Sequence, residues 1–276
     1  LVSRWLVLPH WSGGTILRDL CNRFHGTLVN APTWESGAGR RGGYGALDFV
    51  GASSQYISCG TSTALTPAAL TISCWARFTA LTTSQFLVTK HTGVAACYYL
   101  RMNATSNLRL SISTGGSSTL LTTSTTPIAA TNTWYHIVAT WDAANLNLYV
   151  NGLLVAGPTA KTGSLDNTGH DFRIGGAADS SLPLTGKMND VCFHSRALSA
   201  SEAYQLYEDA LCGHPRTLAR ARLSSLFLMA SAENSLTGDF SFAVASTFAM
   251  AAAENSFSGA DAGGLGGAGK ATTEDV

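Results

Sequence analysis

Glycosidic cleavage needs two carboxyl groups held a few ångström apart, and acyl transfer needs a nucleophile, a base and a group that orients the base. The 276-residue chain has six glutamates, Glu35, Glu202, Glu208, Glu233, Glu254 and Glu274. None stands within two residues of another acid on a strand that could hold such a pair. His136 and Asp142 lie among many serines, and Ser195 follows His194, but there is no Gly-x-Ser-x-Gly elbow. His136 falls in an alternating run and is read as a ladder residue. The glycines between Gly37 and Gly45 and the Gly175-Gly176 pair lack the strand-loop-helix setting and the lysine of a phosphate cradle, and are read as turns. The chain is therefore predicted not to be an enzyme.

Binding chemistry is better represented. Trp11, Trp34, Tyr44, Tyr98 and Tyr99 offer ring faces on which sugars can stack, with core packing as the competing reading for each. Asn103-Ala-Thr105 fits an N-glycosylation acceptor. Six cysteines, Cys21, Cys59, Cys74, Cys97, Cys192 and Cys212, are scattered with no Cys-x-x-Cys pair, which argues against zinc and redox motifs. Buried thiols and one or two disulfides both remain open for them.

These residues have to be positioned by strands. Trp134 to Trp141 alternates apolar and polar, Leu146, Leu148 and Val150 share a face, and Asn151-Gly152 supplies the positive φ angles of a type I′ hairpin turn. Further strands are expected at Trp5–Val7, Ala46–Phe49, Leu70–Phe78, Phe86–Thr89, Cys97–Met102, Leu108–Ser113, Leu120–Ser124, Leu153–Ala156, Phe172–Ile174 and Lys187–Phe193, with turn signals between them and no helix interrupting. One helix then follows. Ser199 and Glu202 form a capping box, and Ala203, Leu206, Tyr207, Ala210 and Leu211 recur at helical spacing until Gly213-His214-Pro215 ends it. The pattern predicts an all-β, two-sheet antiparallel sandwich with one short helix.

Composition narrows the partners. Lys plus Arg equals Asp plus Glu at 17 each, and no basic stripe interleaves with aromatics, which sets nucleic acid aside. Charged residues are 12% of the chain, about half the usual share, so the surface is neutral and polar. No apolar stretch approaches the roughly 18 residues of a membrane span, and the chain is expected to be soluble. Leu1 in place of Met is read as a removed leader, a start inside a longer product or a non-standard start codon.

From about Val2 to Tyr207 the chain resembles the laminin-G-like, concanavalin A-like lectin/glucanase jelly rolls. The residues that carry the resemblance are Trp5, Asp19-Leu-Cys-Asn-Arg-Phe-His-Gly-Thr27, Ala31-Pro-Thr-Trp34, Ala46-Leu-Asp-Phe49, Tyr56-Ile57, Leu70 to Phe78, the Trp134 to Gly152 hairpin, Ile174-Gly175-Gly176, Gly186-Lys-Met-Asn-Asp-Val191 and Arg196-Ala-Leu-Ser199. The resemblance implies a jelly roll, and its functions range over lectins, adhesion modules, carbohydrate-binding appendages, virion proteins and a few glycanases. Family glycanases carry a Glu-x-Asp-x-Glu strand that is missing here. The resemblance also implies a structural calcium held by Asp19, Asn22, Gly26 and Asp190, with oxygen ligands of the kind hard cations favour. Arg23 and Phe24 depart from the family's Gly-Asn-Gly run, so a local positive charge is the alternative to the ion.

A jelly-roll domain is thus expected over residues 1–213 and an Ala/Ser/Gly-rich arm over 214–276. In the arm, Ser225 to Gly238 is echoed by Ser246 to Gly259, a period of 21 residues. Phe227, Leu228, Phe240, Phe242, Val244, Phe248 and Phe257 make it too apolar for a solvating linker, although a low-complexity tail is the plainer alternative. The chain is read as a non-catalytic surface protein of an extracellular, cell-surface or virion structure such as a fibre, tail or capsid decoration. Residues 221–261 would bind copies of itself or neighbouring subunits, and a lectin-like face would take a glycan. The alternative is a monomeric carbohydrate-binding or adhesion module of a secreted protein.

Overall fold

The computed structural model describes residues 1–8, 13–40, 44–92, 95–166, 169–177, 179 and 181–212. Period-two alternation over these residues yields two antiparallel sheets of eight strands each. Sheet A contains β1 (Ser3–Trp5), β4 (Thr33–Glu35), β5 (Ala46–Phe49), β7 (Leu70–Phe78), β12 (Trp134–Trp141), β13 (Asn145–Val150), β14 (Leu153–Ala160) and β16 (Gly186–His194). Sheet B contains β2 (Ile16–Leu17), β3 (Gly26–Val29), β6 (Tyr56–Ser58), β8 (Gln85–Thr92), β9 (Ala95–Met102), β10 (Leu108–Thr114), β11 (Ser117–Thr122) and β15 (Arg173–Ile174). Sheet A runs in the order β14-β13-β12-β7-β16-β5-β4, with β1 also on β16, and sheet B in the order β11-β10-β9-β8-β15-β6-β3-β2.

Each sheet turns one face inward. On sheet A, Ile72, Cys74, Ala76, Ile137, Ala139, Trp141, Leu146 and Leu148 are buried in the core, and Tyr98, Leu100, Met102, Leu108, Leu110 and Ile112 answer them from sheet B. An aromatic seam crosses between the layers. Trp5 stacks on Phe172 at 5.2 Å, Phe172 meets Phe193 edge-on at 5.6 Å, and Phe193 stacks on Tyr98 at 6.0 Å. Each such pair adds about 0.5–1.5 kcal/mol beyond the area it buries. The polar ends are satisfied inside: Tyr98 donates its hydroxyl to Leu65 O and Trp141 its indole N–H to Lys161 O.

The hairpin forms as its sequence requires. Asn151 and Gly152 both adopt positive φ between the paired Val150 and Leu153, and Asn151 ties the turn to the neighbouring strand β12, donating its N–H to His136 O and accepting from His136 N through its side chain. A Cβ on Gly152 would approach the Tyr204 ring to 2.7 Å, so this glycine serves the turn and the helix contact together. The four strands β2, β3, β4 and β6 lie outside the expected set, because runs of two to four residues are too short to show a period. β1 begins two residues before the expected Trp5. Two single 3-10 turns, Gly51–Ser53 and Thr63–Leu65, occur where no helix was expected.

Helix α1 (Ala200–Cys212) opens on the expected capping box, with Glu202 N donating to Ser199 Oγ and Ser199 N donating back to the Glu202 carboxylate. It covers the outward face of sheet A. Ala203 packs among Val138 and Tyr149, and Tyr207 stacks over Trp75 at 5.9 Å and His136 at 6.2 Å. No helix among the described residues is long and apolar enough to cross a membrane. The expected domain boundary after Gly213 and the arm of residues 214–276 lie outside the described residues.

Cys21, Cys59, Cys74, Cys97 and Cys192 are unpaired. Burial pushes the thiols of Cys74 and Cys97 up to about 12 and those of Cys59 and Cys192 well above 9. His136, a ladder residue opposite Trp75, is pushed by burial from 6.5 to about 4, partly opposed by Asp190. His194 is likewise lowered to about 4, chiefly by burial. Between those values the unfolded chain binds protons that the folded chain refuses, so stability falls as pH drops from 6.5 towards 4. For His136 this amounts to roughly 3 kcal/mol at 1.36 kcal/mol per unit. Urea unfolding of the wild type is expected to show that loss between neutral pH and pH 4, and His136→Phe to flatten the slope. An equal slope in the variant would refute the assignment.

Candidate functional site

Asp19 is built into the chain crossing between β2 and β3. Its side chain is buried and accepts from Ser3 Oγ at 3.1 Å, from the backbone N–H groups of Arg4, Cys21 and Phe24 at 2.9 Å, and from that of Arg23 at 3.0 Å. Burial alone would raise its pKa, but the backbone donors outweigh it and hold the carboxyl below 3.8. Arg4 then reaches across to Asp190, Nε to Oδ1 at 2.6 Å and Nη2 to Oδ2 at 2.7 Å. Asp190 faces it because β16 carries a one-residue bulge there, with φ of +51°.

The structure thus brings Asp19 and Asp190 together around Arg4. Asn22 is exposed at a left-handed position and donates its N–H to Asp19 O. Gly26 lies in β3, where a Cβ would collide with the Ile57 side chain at 2.3 Å. Two carboxylate oxygens offer about four acceptor sites, and five donors already converge on those of Asp19. A calcium ion ligated by Asp19 and Asp190 does not fit this arrangement, in which the Arg4 guanidinium forks Asp190 while its backbone N–H is one of the five donors that fill Asp19. Arg4, rather than Arg23, is the local cation. Its role was hidden because its partner is 186 residues away in the chain. Among the described residues no group of three or more His, Cys, Asp or Glu side chains gathers as a metal site.

Glu35 and Asp48 also share a cation, Lys187 Nζ, at 2.6 and 3.1 Å.

The aromatic candidates divide. Tyr98 is core. Trp34 donates its indole N–H to Gly14 O at 2.9 Å on edge strand β4, and Tyr44 is half-buried just before β5. Trp11 lies outside the described residues. Tyr99 alternates with core residues on β9 and faces outward from sheet B, where it joins residues that were not singled out as a group. Phe86 meets it edge-on at 5.4 Å, His91 edge-on at 5.6 Å, and the Arg101 guanidinium lies 5.3 Å from the Tyr99 ring centre and 5.7 Å from that of Phe86. His91 is lowered from 6.5, first by burial and further by His170 and Arg101, against the pull of Asp179. The cluster is an apolar floor with hydrogen-bond donors standing on it, the combination a sugar ring requires. Tyr99 and Arg101, two apart on one strand, were the available signal.

A two-sheet antiparallel jelly roll with polar and aromatic groups on one open face defines a lectin-like domain. The chain belongs to the concanavalin A-like lectin/glucanases superfamily, whose Laminin G 3 model matches residues 51–203, more than half of it. No curated protein matches the chain. The fold is similar to the binding domain of Paraclostridial Mosquitocidal Protein 1 (18% identity, TM-score 0.57, 75% of this chain and 51% of that one). It is also similar to the receptor binding domain of botulinum neurotoxin mosaic serotype C/D (14%, 0.53, 75% and 50%). A third likeness is to domain 4 of AbnA, an extracellular arabinanase from Geobacillus stearothermophilus, in complex with arabinotriose (16%, 0.51, 75% and 98%). The chain spans about half the length of the two toxin domains.

Replacing Asp19 with Ala would strand five donors, one of them buried and four partly buried, and a loss of roughly 3 kcal/mol is expected in denaturant unfolding. Thermal unfolding of the wild type in calcium and in EDTA is expected to give one midpoint. A midpoint raised by calcium would put an ion back beside Asp19.

Proposed function

We propose that this chain is a non-catalytic surface module. Its jelly roll presents a sugar-binding face on the outward side of sheet B, and residues 221–261 add strands to copies of itself or to neighbouring subunits of an extracellular or virion structure such as a fibre, tail or capsid decoration. The observation that carries the binding role is the cluster of Phe86, His91, Tyr99 and Arg101. The carboxylates argue against hydrolysis: Asp19 is saturated with donors, Asp190 is forked by Arg4, and Glu35 and Asp48 share Lys187. Fold likeness to two toxin binding domains supports a recognition role. The 21-residue repeat, with one apolar β-prone run per copy, supports assembly, since such runs leave strand edges that seek partners.

A second reading, a monomeric carbohydrate-binding module of a secreted protein, is favoured by one comparison. The match spans 98% of arabinanase domain 4, which was solved with arabinotriose bound.

Two measurements separate the readings. Light scattering on the full chain is expected to show a large assembly, and a chain ending at Gly213 a monomer that still binds sugars on a glycan array. Monomers in both cases would leave the free-standing module, and an array with no binding would remove the lectin role altogether.

A further inference from the structure

We propose that the outward face of sheet B takes sugars that carry a negative charge, with Arg101 and Arg109 together gripping the carboxylate or sulfate group. This deepens the sugar-binding reading above and rests on it. Antiparallel register sets Arg109 of β10 directly across from Arg101 of β9. Their neighbours Leu108, Leu110, Leu100 and Met102 are in the core, so alternation sends both arginines to the outward face.

Like charges directly opposed on one face of a sheet repel and destabilise it. Three other arginines of the sandwich are neutralised, Arg4 by Asp190, Arg173 by Asp171 and Arg196 by Glu202. Arg77, which like Arg101 and Arg109 has a shielded Nε–H with no acceptor, bonds to the neutral Asn132 and is not set opposite a second arginine. Among the described residues no ion pair or hydrogen bond joins Arg101 or Arg109 to an acid, and the Nε–H of each is shielded from solvent with no acceptor. Asp179, the carboxylate that acts on nearby His91, already accepts from Ser181 N and Oγ. A pair of cations kept together without a counter-charge is a fork for an anion.

The surroundings specify what carries that anion. Register aligns Phe86 of β8, Arg101, Arg109 and Thr122 of β11 in one row across four strands, about 14 Å wide at the usual strand spacing. Tyr99 and Ser111 make the adjacent row and also oppose each other. The order is ring, cation, cation, hydroxyl. Phe86 and Ser111 are buried beneath this surface, so the half-exposed Tyr99 ring takes the C–H face of a sugar, the Thr122 hydroxyl takes one of its oxygens, and the two half-exposed guanidiniums take one planar or tetrahedral anion through charge-assisted, bidentate hydrogen bonds. Two charges on an otherwise neutral chain suit a single acidic substituent rather than a polyanion such as nucleic acid.

The test is calorimetric titration of the full chain with trigalacturonate, a galactose-6-sulfate trisaccharide and neutral galactotriose. At least one acidic sugar is expected to bind about tenfold or more tightly than galactotriose, and which one does so distinguishes carboxylate from sulfate. Arg101→Gln and Arg109→Gln are each expected to erase that preference while raising, or leaving unchanged, the thermal midpoint of the free protein. As a check that needs no variant, wild-type affinity for the acidic sugar should fall about tenfold as salt shortens the Debye length from about 10 to about 3 Å, with galactotriose unaffected. Equal affinity for charged and neutral sugars, lost on Tyr99→Ala but not on either arginine variant, would overturn the anion preference and keep the lectin reading. No binding of any of the three sugars, with an empty glycan array, would overturn both.

Discussion

On one side β16 runs beside β7 for nearly its whole length; on the other it must serve β5 through Gly186–Met188 and β1 through Val191–Phe193. Two short strands along one edge need a break in pleat between them, and the bulge at Asp190 supplies it. The strand can begin so close to β7 because residue 186 is glycine: a Cβ there would stand 2.1 Å from Arg77 O, at φ of +145°. Once the bulge turns Asp190 outward, Arg4 can fork it, and the Arg4 backbone can at the same time donate to Asp19. The N-terminal strand, the first loop and the last strand are therefore fastened by one guanidinium and two carboxylates, in the region where the resemblance suggested an ion.

The two outward faces have different fates. That of sheet A is closed by α1, whose Tyr207 completes a stack with Trp75 and His136. The face of sheet B around β8 to β11 keeps Tyr99 and Arg101 half-exposed. Groups on the first face are desolvated, as the low proton affinity of His136 records. Groups on the second are available for recognition, which is why an aromatic and guanidinium cluster there carries more functional weight than Trp75 with Arg40 above its ring.

What could be read from the residues alone follows the range of the forces involved. The Trp134 to Val155 hairpin and the Ser199 capping box depend on neighbours within a few residues, and both form as the local pattern dictates. Strand identity on β7, β9, β10 and β12 follows from period-two burial, which any single strand displays. Asp19 was singled out as a calcium ligand, but two of the groups that fill its oxygens, Ser3 and Arg4, are 16 and 15 residues upstream, and the link from Arg4 to Asp190 spans 186. Likewise nothing in the local pattern distinguishes Arg101 or Arg109 from any other polar residue of an alternating strand. Only the β9 to β10 register makes them a pair.

The buried thiols have a consequence for where such a domain can live. Cys59, Cys74, Cys97 and Cys192 sit in the interior as protonated groups, and neither disulfide exchange nor oxidation proceeds readily without the thiolate and a path to it. Moving between a reducing cytoplasm and an oxidising exterior would therefore leave no covalent record in the core. The sandwich can be made in one redox world and displayed in the other with the same bonds.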